Sequence, residues 1–240
     1  MAGDPLDPFL RKLSHLNLAE TARTAVLATV SSTRELDARR DFLVAGEPSP
    51  QILVLLEGMV ARHKTLPDGQ RQIVSFGIAG DFCNAQALVS PALDFGVSTL
   101  SACKLAVLPH RELRQVVEQY PTIALALWRE SVAESAVERE WMLNLGRRPA
   151  LDRMAHMLSE MAWRTENAGL SRDGSYHFPL TQMEIADALG LSTVHVNRTL
   201  QELRNRGIIR FNQGVLTIVR PDALKAMAGF DPRYLAAEPA

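Results

Sequence analysis

The chain has 240 residues, of which 47% are hydrophobic and 22% charged, and its formal net charge is -1 at pH 7. That length exceeds a single domain of ordinary size, so two modest domains are expected, and the balance of apolar and charged residues excludes a disordered chain. The two cysteines, Cys83 and Cys103, exclude a disulfide framework or a four-cysteine zinc site and suit a reducing cytoplasm, while no apolar run approaches the roughly 18 residues of a membrane span.

In chain order, the polar Met1 to Pro8 lacks the pattern of an export signal, and Asp7 to Leu18 carries apolar residues near helical spacing. From Asp41 to about Pro109 the chain is cut by Gly46, Gly58, Gly69, Gly77 and Gly80 into short apolar or β-branched runs. Ile52 to Leu56, Gln72 to Phe76 and Lys104 to Leu108 are the clearest, with the turn Pro67-Asp68-Gly69 between two of them, and a small barrel or jelly roll follows. Thr122 to Leu145 then contains no Gly or Pro, and Ile123, Leu127, Ala133, Val137 and Trp141 recur at roughly helical intervals. This long helix either covers the barrel or forms a dimer seam. A second helix, through Leu151, Met154, Leu158 and Met161, follows a break at Gly146 and Pro149.

Leu180 to Ile209 carries the functional signal. A first helix, Gln182 to Leu189, buries Ile185, Ala186 and Leu189; Gly190 permits a tight turn; Ser192 caps a second helix that buries Val196, Leu200 and Leu203. The small residue, the glycine and the buried valine stand fifth, ninth and fifteenth from Gln182, the layout of a helix-turn-helix. Two β-like runs, Ile208 to Phe211 and Val215 to Val219, joined by Asn212-Gln213-Gly214, add a wing. The outer side of the second helix presents Thr193, Val194, Asn197, Arg198 and Gln201, with His195 flanking. Arg198 can donate two bonds to guanine, Asn197 or Gln201 can pair with adenine, Val194 or the Thr193 methyl can meet the thymine methyl, and the Ser192 and Thr193 hydroxyls can hold phosphates. Charge agrees: residues 147–220 hold 10 Arg against 7 Asp plus Glu, whereas residues 1–146 hold 14 basic and 17 acidic side chains. Double-stranded DNA is the expected partner.

The glycine skeleton Gly46-Glu47, Gly58, Asp68-Gly69 and Gly80-Asp81-Phe82, followed by the long helix and the winged helix-turn-helix, resembles the Crp/Fnr family over nearly the whole chain. The resemblance implies an α+β protein in three parts: an effector-sensing, cyclic-nucleotide-binding-like β-roll over 1–121, a dimerisation helix over 122–146, and a winged helix-turn-helix domain over 147–221. Within that last domain the helix-turn-helix spans 182–206 and the wing 208–219; a tail, 222–240, follows. It also implies a homodimer, seamed by Ile123, Leu127, Ala133, Val137 and Trp141, that reads a roughly palindromic site as a transcription regulator, with RNA polymerase as a further partner. The effector pocket would include Cys83, Asn84, Ala85 and Gln86.

The chain departs from the family at three places. The Gly-Glu pair that holds the ribose in cyclic-AMP-binding members falls at Asn84-Ala85, and no arginine stands between Arg71 and Arg111 to meet a cyclic phosphate. No cysteine precedes Cys83, so the iron-sulfur ligands of the oxygen-sensing branch are missing. Cyclic AMP and an iron-sulfur cluster are therefore not expected, and the effector is unidentified. Val194 stands where the family has a cytosine-reading glutamate, so the half-site should differ. His63 reads as an exposed strand residue rather than a haem or metal ligand, and the cysteines as small hydrophobes rather than a redox switch. The competing function is a ligand-gated interaction module whose helix-turn-helix docks a protein, but that helix lacks large apolar anchors. No metal, nucleophile-elbow or phosphate-loop motif supports an enzyme.

Overall fold

The computed structural model describes residues 4–90 and 92–235. They form two compact units, one of residues 4–64, 76–90 and 92–132, the other of residues 65–75 and 133–235.

The chain opens with α1 (Asp7–His15) and α2 (Glu20–Ala28), followed by β1 (Ser32–Leu36), β2 (Asp41–Leu43), β3 (Gln51–Glu57), β4 (Met59–Thr65), β5 (Arg71–Ile78), β6 (Gly96–Thr99) and β7 (Cys103–Pro109), all in the first unit except Thr65 and residues 71–75, which group with the second. The strands form two antiparallel sheets, ordered β1-β7-β3 and β2-β6-β4-β5. Strand β3 is buried along its five central residues, which explains why its sequence is an unbroken apolar run rather than an alternation. Ile52, Val54 and Leu56 face a cluster with Phe9, Leu13, Ala22, Val26 and Leu113, whereas Leu53 and Leu55 face Val60, Val97, Cys103 and Leu105. The two-residue period thus builds both cores from one strand. The turn after β3 needs Gly58: φ is +92°, and a Cβ there would lie 2.4 Å from the Ala102 carbonyl oxygen. Helix α1 is held on the roll by the edge-to-face pair Phe9–Phe82, 5.7 Å between centroids, and by Lys12, which forms ion pairs with Asp81 and Glu130.

Helices α3 (His110–Gln119) and α4 (Pro121–Arg147) follow. Although α4 is the long helix expected from periodicity, its apolar residues divide between two faces. Ile123, Val137 and Trp141 are buried within the protomer, Leu127 packs partly against the first core and Ala133 is half-buried. These were the predicted seam residues, and the first three cannot meet a partner chain. The exposed apolar side chains are instead Leu125, Trp128, Val132, Met142 and Leu143.

The second unit contains the end of α4, α5 (Ala150–Asn167), β8 (Ser175–His177), α6 (Gln182–Leu189), α7 (Thr193–Asn205), β9 (Ile209–Asn212), β10 (Val215–Ile218) and α8 (Pro221–Ala228). Its sheet is antiparallel, ordered β8-β10-β9. The predicted tail is corrected in part. Residues 221–228 are helical because Leu224 and Ala228 bury themselves in the unit and Gly229 closes the helix in the left-handed conformation. Residues 236–240 of that tail lie outside the described residues.

The elbow between α4 and α5 is built from polar side chains. The Trp141 indole N–H donates to Glu160 Oε2 at 3.0 Å, and the Tyr234 hydroxyl donates to the same oxygen at 2.7 Å. Arg148 bonds Glu140 at 2.6 Å, and His156 Nε2 lies 3.3 Å from the same carboxylate. Arg153 reaches the Arg148 carbonyl at 2.8 Å and the Leu189 carbonyl, at the end of α6, at 3.0 Å. His156 and Glu160 are fully buried. Burial, and then the Arg148 cation, push the His156 imidazole down to about 4 against the opposing pull of Glu140. Burial raises the Glu160 carboxyl despite Arg164, Tyr234 and Trp141.

Candidate nucleic-acid interface

Helix α6 begins at a capping box: the Glu184 amide N–H donates to Thr181 Oγ1 at 3.2 Å, and the Thr181 amide N–H donates to Glu184 Oε2 at 2.6 Å. Gly190 ends it at φ +60°. The chain then reaches Ser192, whose side chain caps α7 through the His195 amide. Thr181→Ala removes the side-chain half of this capping box, the Oγ1 bonds to the Glu184 amide and to Glu184 Oε2, while the backbone amide of residue 181 still donates to that carboxylate. The expected loss is about 1 kcal/mol of folding stability, read from the denaturant midpoint at unchanged m-value.

Across α7 the division is sharp. Val196 and Leu203 are completely buried and Thr199 nearly so, its hydroxyl donating to the His195 carbonyl at 3.0 Å. Leu200, predicted as buried, is half-buried. Opposite them, Ser192, Val194, His195, Asn197, Arg198 and Gln201 are exposed, and Thr193 is half-buried at the first position of the helix. Val194 is 77% exposed. The six exposed side chains and Thr193 thus lie on one accessible strip at the N-terminal part of the second helix, the part that enters the major groove in helix-turn-helix proteins.

Two arginines that the sequence reading passed over add positive charge beside that strip. Arg204 is exposed near the end of α7, its guanidinium carbon 5.7 Å from the centre of the Phe211 ring. Arg210 is exposed on β9, in the wing. The signal was available in the alternation of β9, where Ile209 points in and the next residue must point out. Arg206 is paired with Glu202.

Of the four residues predicted for the effector pocket, Asn84 and Cys83 are tied to β3. Asn84 is fully buried; its Oδ1 accepts the Leu53 amide at 2.8 Å, and its Nδ2 donates to Ser49 Oγ at 3.0 Å and the Gln51 carbonyl at 2.8 Å. Cys83 belongs to the inner core of the roll, and its amide bonds the Leu53 carbonyl at 2.8 Å. Both therefore hold β3 in place. Ala85 and Gln86 open a short 3-10 turn and are half-buried. Cys103 donates its thiol to the Met59 and Ser101 carbonyls at 3.4 and 3.3 Å, and burial pushes the thiol up, away from the reactive thiolate. His63 is half-buried rather than exposed, its ring against Gly96 and its Nε2 3.3 Å from Asp41 Oδ1. The cation inside the roll is Arg62, 6% exposed, which donates to the Phe82 carbonyl at 2.6 Å and lies 5.8 Å from the Phe95 ring centre. Among the described residues no cluster of His, Cys, Asp or Glu could hold a metal ion, and no helix is long and apolar enough to cross a membrane.

A β-roll and a winged helix-turn-helix with an accessible recognition helix define a DNA-binding regulator. Comparison with known proteins agrees: residues 33–120 match the cyclic nucleotide-binding domain and residues 152–227 the Crp-like helix-turn-helix domain. A probable transcriptional activator of Rhizobium leguminosarum bv. viciae is 30% identical over 192 residues, which cover 80% of this chain and 78% of the relative. The nitrogen fixation regulation protein FixK of Bradyrhizobium diazoefficiens is 29% identical over 175 residues, 72% of each chain. Among solved structures, FixK2 from Bradyrhizobium japonicum superposes with a TM-score of 0.75 at 24% identity, covering 82% of this chain and 96% of that one. The chain belongs to the Crp/Fnr family of transcription regulators, whose members are regulators rather than enzymes.

Proposed function

We propose that the protein acts in the cytoplasm as a homodimer, paired along α4, that binds a roughly two-fold symmetric DNA site through Arg198 and its neighbours. The observation that carries the pairing is the exposed apolar stripe of α4. Leu125, Trp128 and Val132 are 54, 68 and 54% exposed and stand three and four residues apart. An uncovered stripe with that spacing is what a two-helix seam requires. Trp128→Arg is expected to convert a dimer into a monomer in sedimentation equilibrium, with loss of cooperative binding to a two-half-site duplex; an unchanged dimer would place the seam elsewhere. Arg204 and Arg210 supply phosphate contacts flanking the site. RNA polymerase is the further partner if the protein, like the relative named an activator, raises transcription.

The effector in this reading is not cyclic AMP. Asn84, at the ribose-binding position, spends its amide on β3, and the interior guanidinium of Arg62 is engaged with Phe82 and Phe95. Titration calorimetry with cyclic AMP should give no binding heat, and micromolar binding would overturn this part. An iron-sulfur cluster is likewise not proposed, because the chain has two cysteines, both buried.

A further inference from the structure

At the start of α7, Ser192 and His195 are tied twice. The His195 amide donates to Ser192 Oγ at 3.3 Å, and Ser192 Oγ lies 3.0 Å from His195 Nδ1. The hydroxyl oxygen accepts the amide proton of the helix cap, and its own hydrogen is free to donate to the Nδ1 lone pair. A neutral imidazole that accepts at Nδ1 carries its proton on Nε2. With Ser192 donating to Nδ1, the far end of the ring is a hydrogen-bond donor. His195 is exposed, in the first helical turn, next to Val194 and three residues before Arg198. Val194 offers no hydrogen-bonding group, so the polar choice in that turn falls to its neighbour.

We propose that His195 is a second base-reading residue, whose Nε2–H selects a base with an acceptor on its major-groove edge, guanine, thymine or adenine through N7, beside the pair read by Arg198. Cytosine presents an amino donor there and is rejected. Ser192 is the positioning residue, since it sets which ring nitrogen carries the proton. The inference rests on the DNA-binding reading of α7 and adds to it a specificity the arginine alone does not supply.

The test is selection from a random duplex library with the full-length protein, its His195→Ala, His195→Gln, Ser192→Ala and Ser192→Thr variants, and affinity measurements on the recovered site. The wild type should exclude cytosine at one position of each half-site. His195→Ala should flatten that position alone and weaken the cognate site about 5-fold, the worth of one lost hydrogen bond, with noncognate affinity unchanged. His195→Gln should move the preference toward adenine, with which a glutamine amide pairs twice. Ser192→Thr should keep the wild-type preference and Ser192→Ala should blur it, with circular dichroism showing α7 intact in both. Unchanged selection by His195→Ala, with the other positions still read, would overturn the proposal and leave DNA binding standing. Failure of the wild type to select any sequence would overturn both.

Discussion

Arg198→Ala should weaken binding to the cognate duplex by about 1–3 kcal/mol, roughly 10- to 100-fold, and relax the base preference at one position of each half-site. The reason lies in the geometry of α7. Val196, Thr199 and Leu203 lock one face of the helix into the domain, so Arg198 is held on the opposite face. Among the described residues it forms no ion pair or hydrogen bond that would have to break first. Affinity for nonspecific DNA should fall by less than about twofold, because that binding depends on the summed charge of the remaining arginines. Gel-shift titrations against cognate and scrambled duplexes at fixed salt separate the two effects. Equal losses on both would make Arg198 a phosphate contact and remove it from base recognition.

The second large effect is on stability. The buried His156 has its imidazole held down at about 4, whereas in the unfolded chain it titrates near 6.5. Between those values the unfolded chain binds a proton that the native protein refuses, so stability rises with pH across that window and is lost on acidification. The contribution is about 3 kcal/mol over the full window. Glu160 acts in the opposite sense: its carboxyl is raised above the ordinary 4.5, so the native protein keeps a proton that the unfolded chain releases, and stability falls as pH rises above 4.5. Denaturant titrations at a series of pH values should therefore show His156→Leu losing much of the rise between pH 4 and 6.5. Glu160→Gln, which still accepts from Trp141 and Tyr234, should be at least as stable as the wild type at pH 7. A His156→Leu profile parallel to that of the wild type would show that the imidazole does not titrate as its burial requires.

The helix-turn-helix could be read from the sequence because everything that specifies it is local. The Thr181 and Ser192 caps, the turn at Gly190 and the buried Val196 act within one short stretch, and sequence spacing alone puts them together. The elements that escaped notice are of two kinds. Strand β1 is a polar edge segment whose pairing, Ser32 with Val107 through Leu36 with Cys103, is set by a partner far along the chain. Helix α3 is dominated by charged and polar residues and fully buries Leu113 alone, and α2 is short, so neither gave a strong periodic signal. Strand β8 is only three residues long, below what a pattern can reveal.

The sequence by itself determined the order of the two domains, the recognition helix and the side chains it exposes, and the long helix after the roll. These follow from spacing, caps and composition, which need no partner beyond the segment itself. Tertiary structure alone decided which apolar stripe of α4 turns inward, because Ile123, Val137 and Trp141 are as hydrophobic as Leu125, Trp128 and Val132, and only the packing surfaces choose between them. It also decided that Asn84 braces β3, that Arg62 lies inside the roll, and that His156 and Glu160 are sealed into the elbow beside α5. Each of those outcomes depends on which distant groups arrive to satisfy a buried polar atom, and that is settled by the fold rather than by the neighbours in sequence.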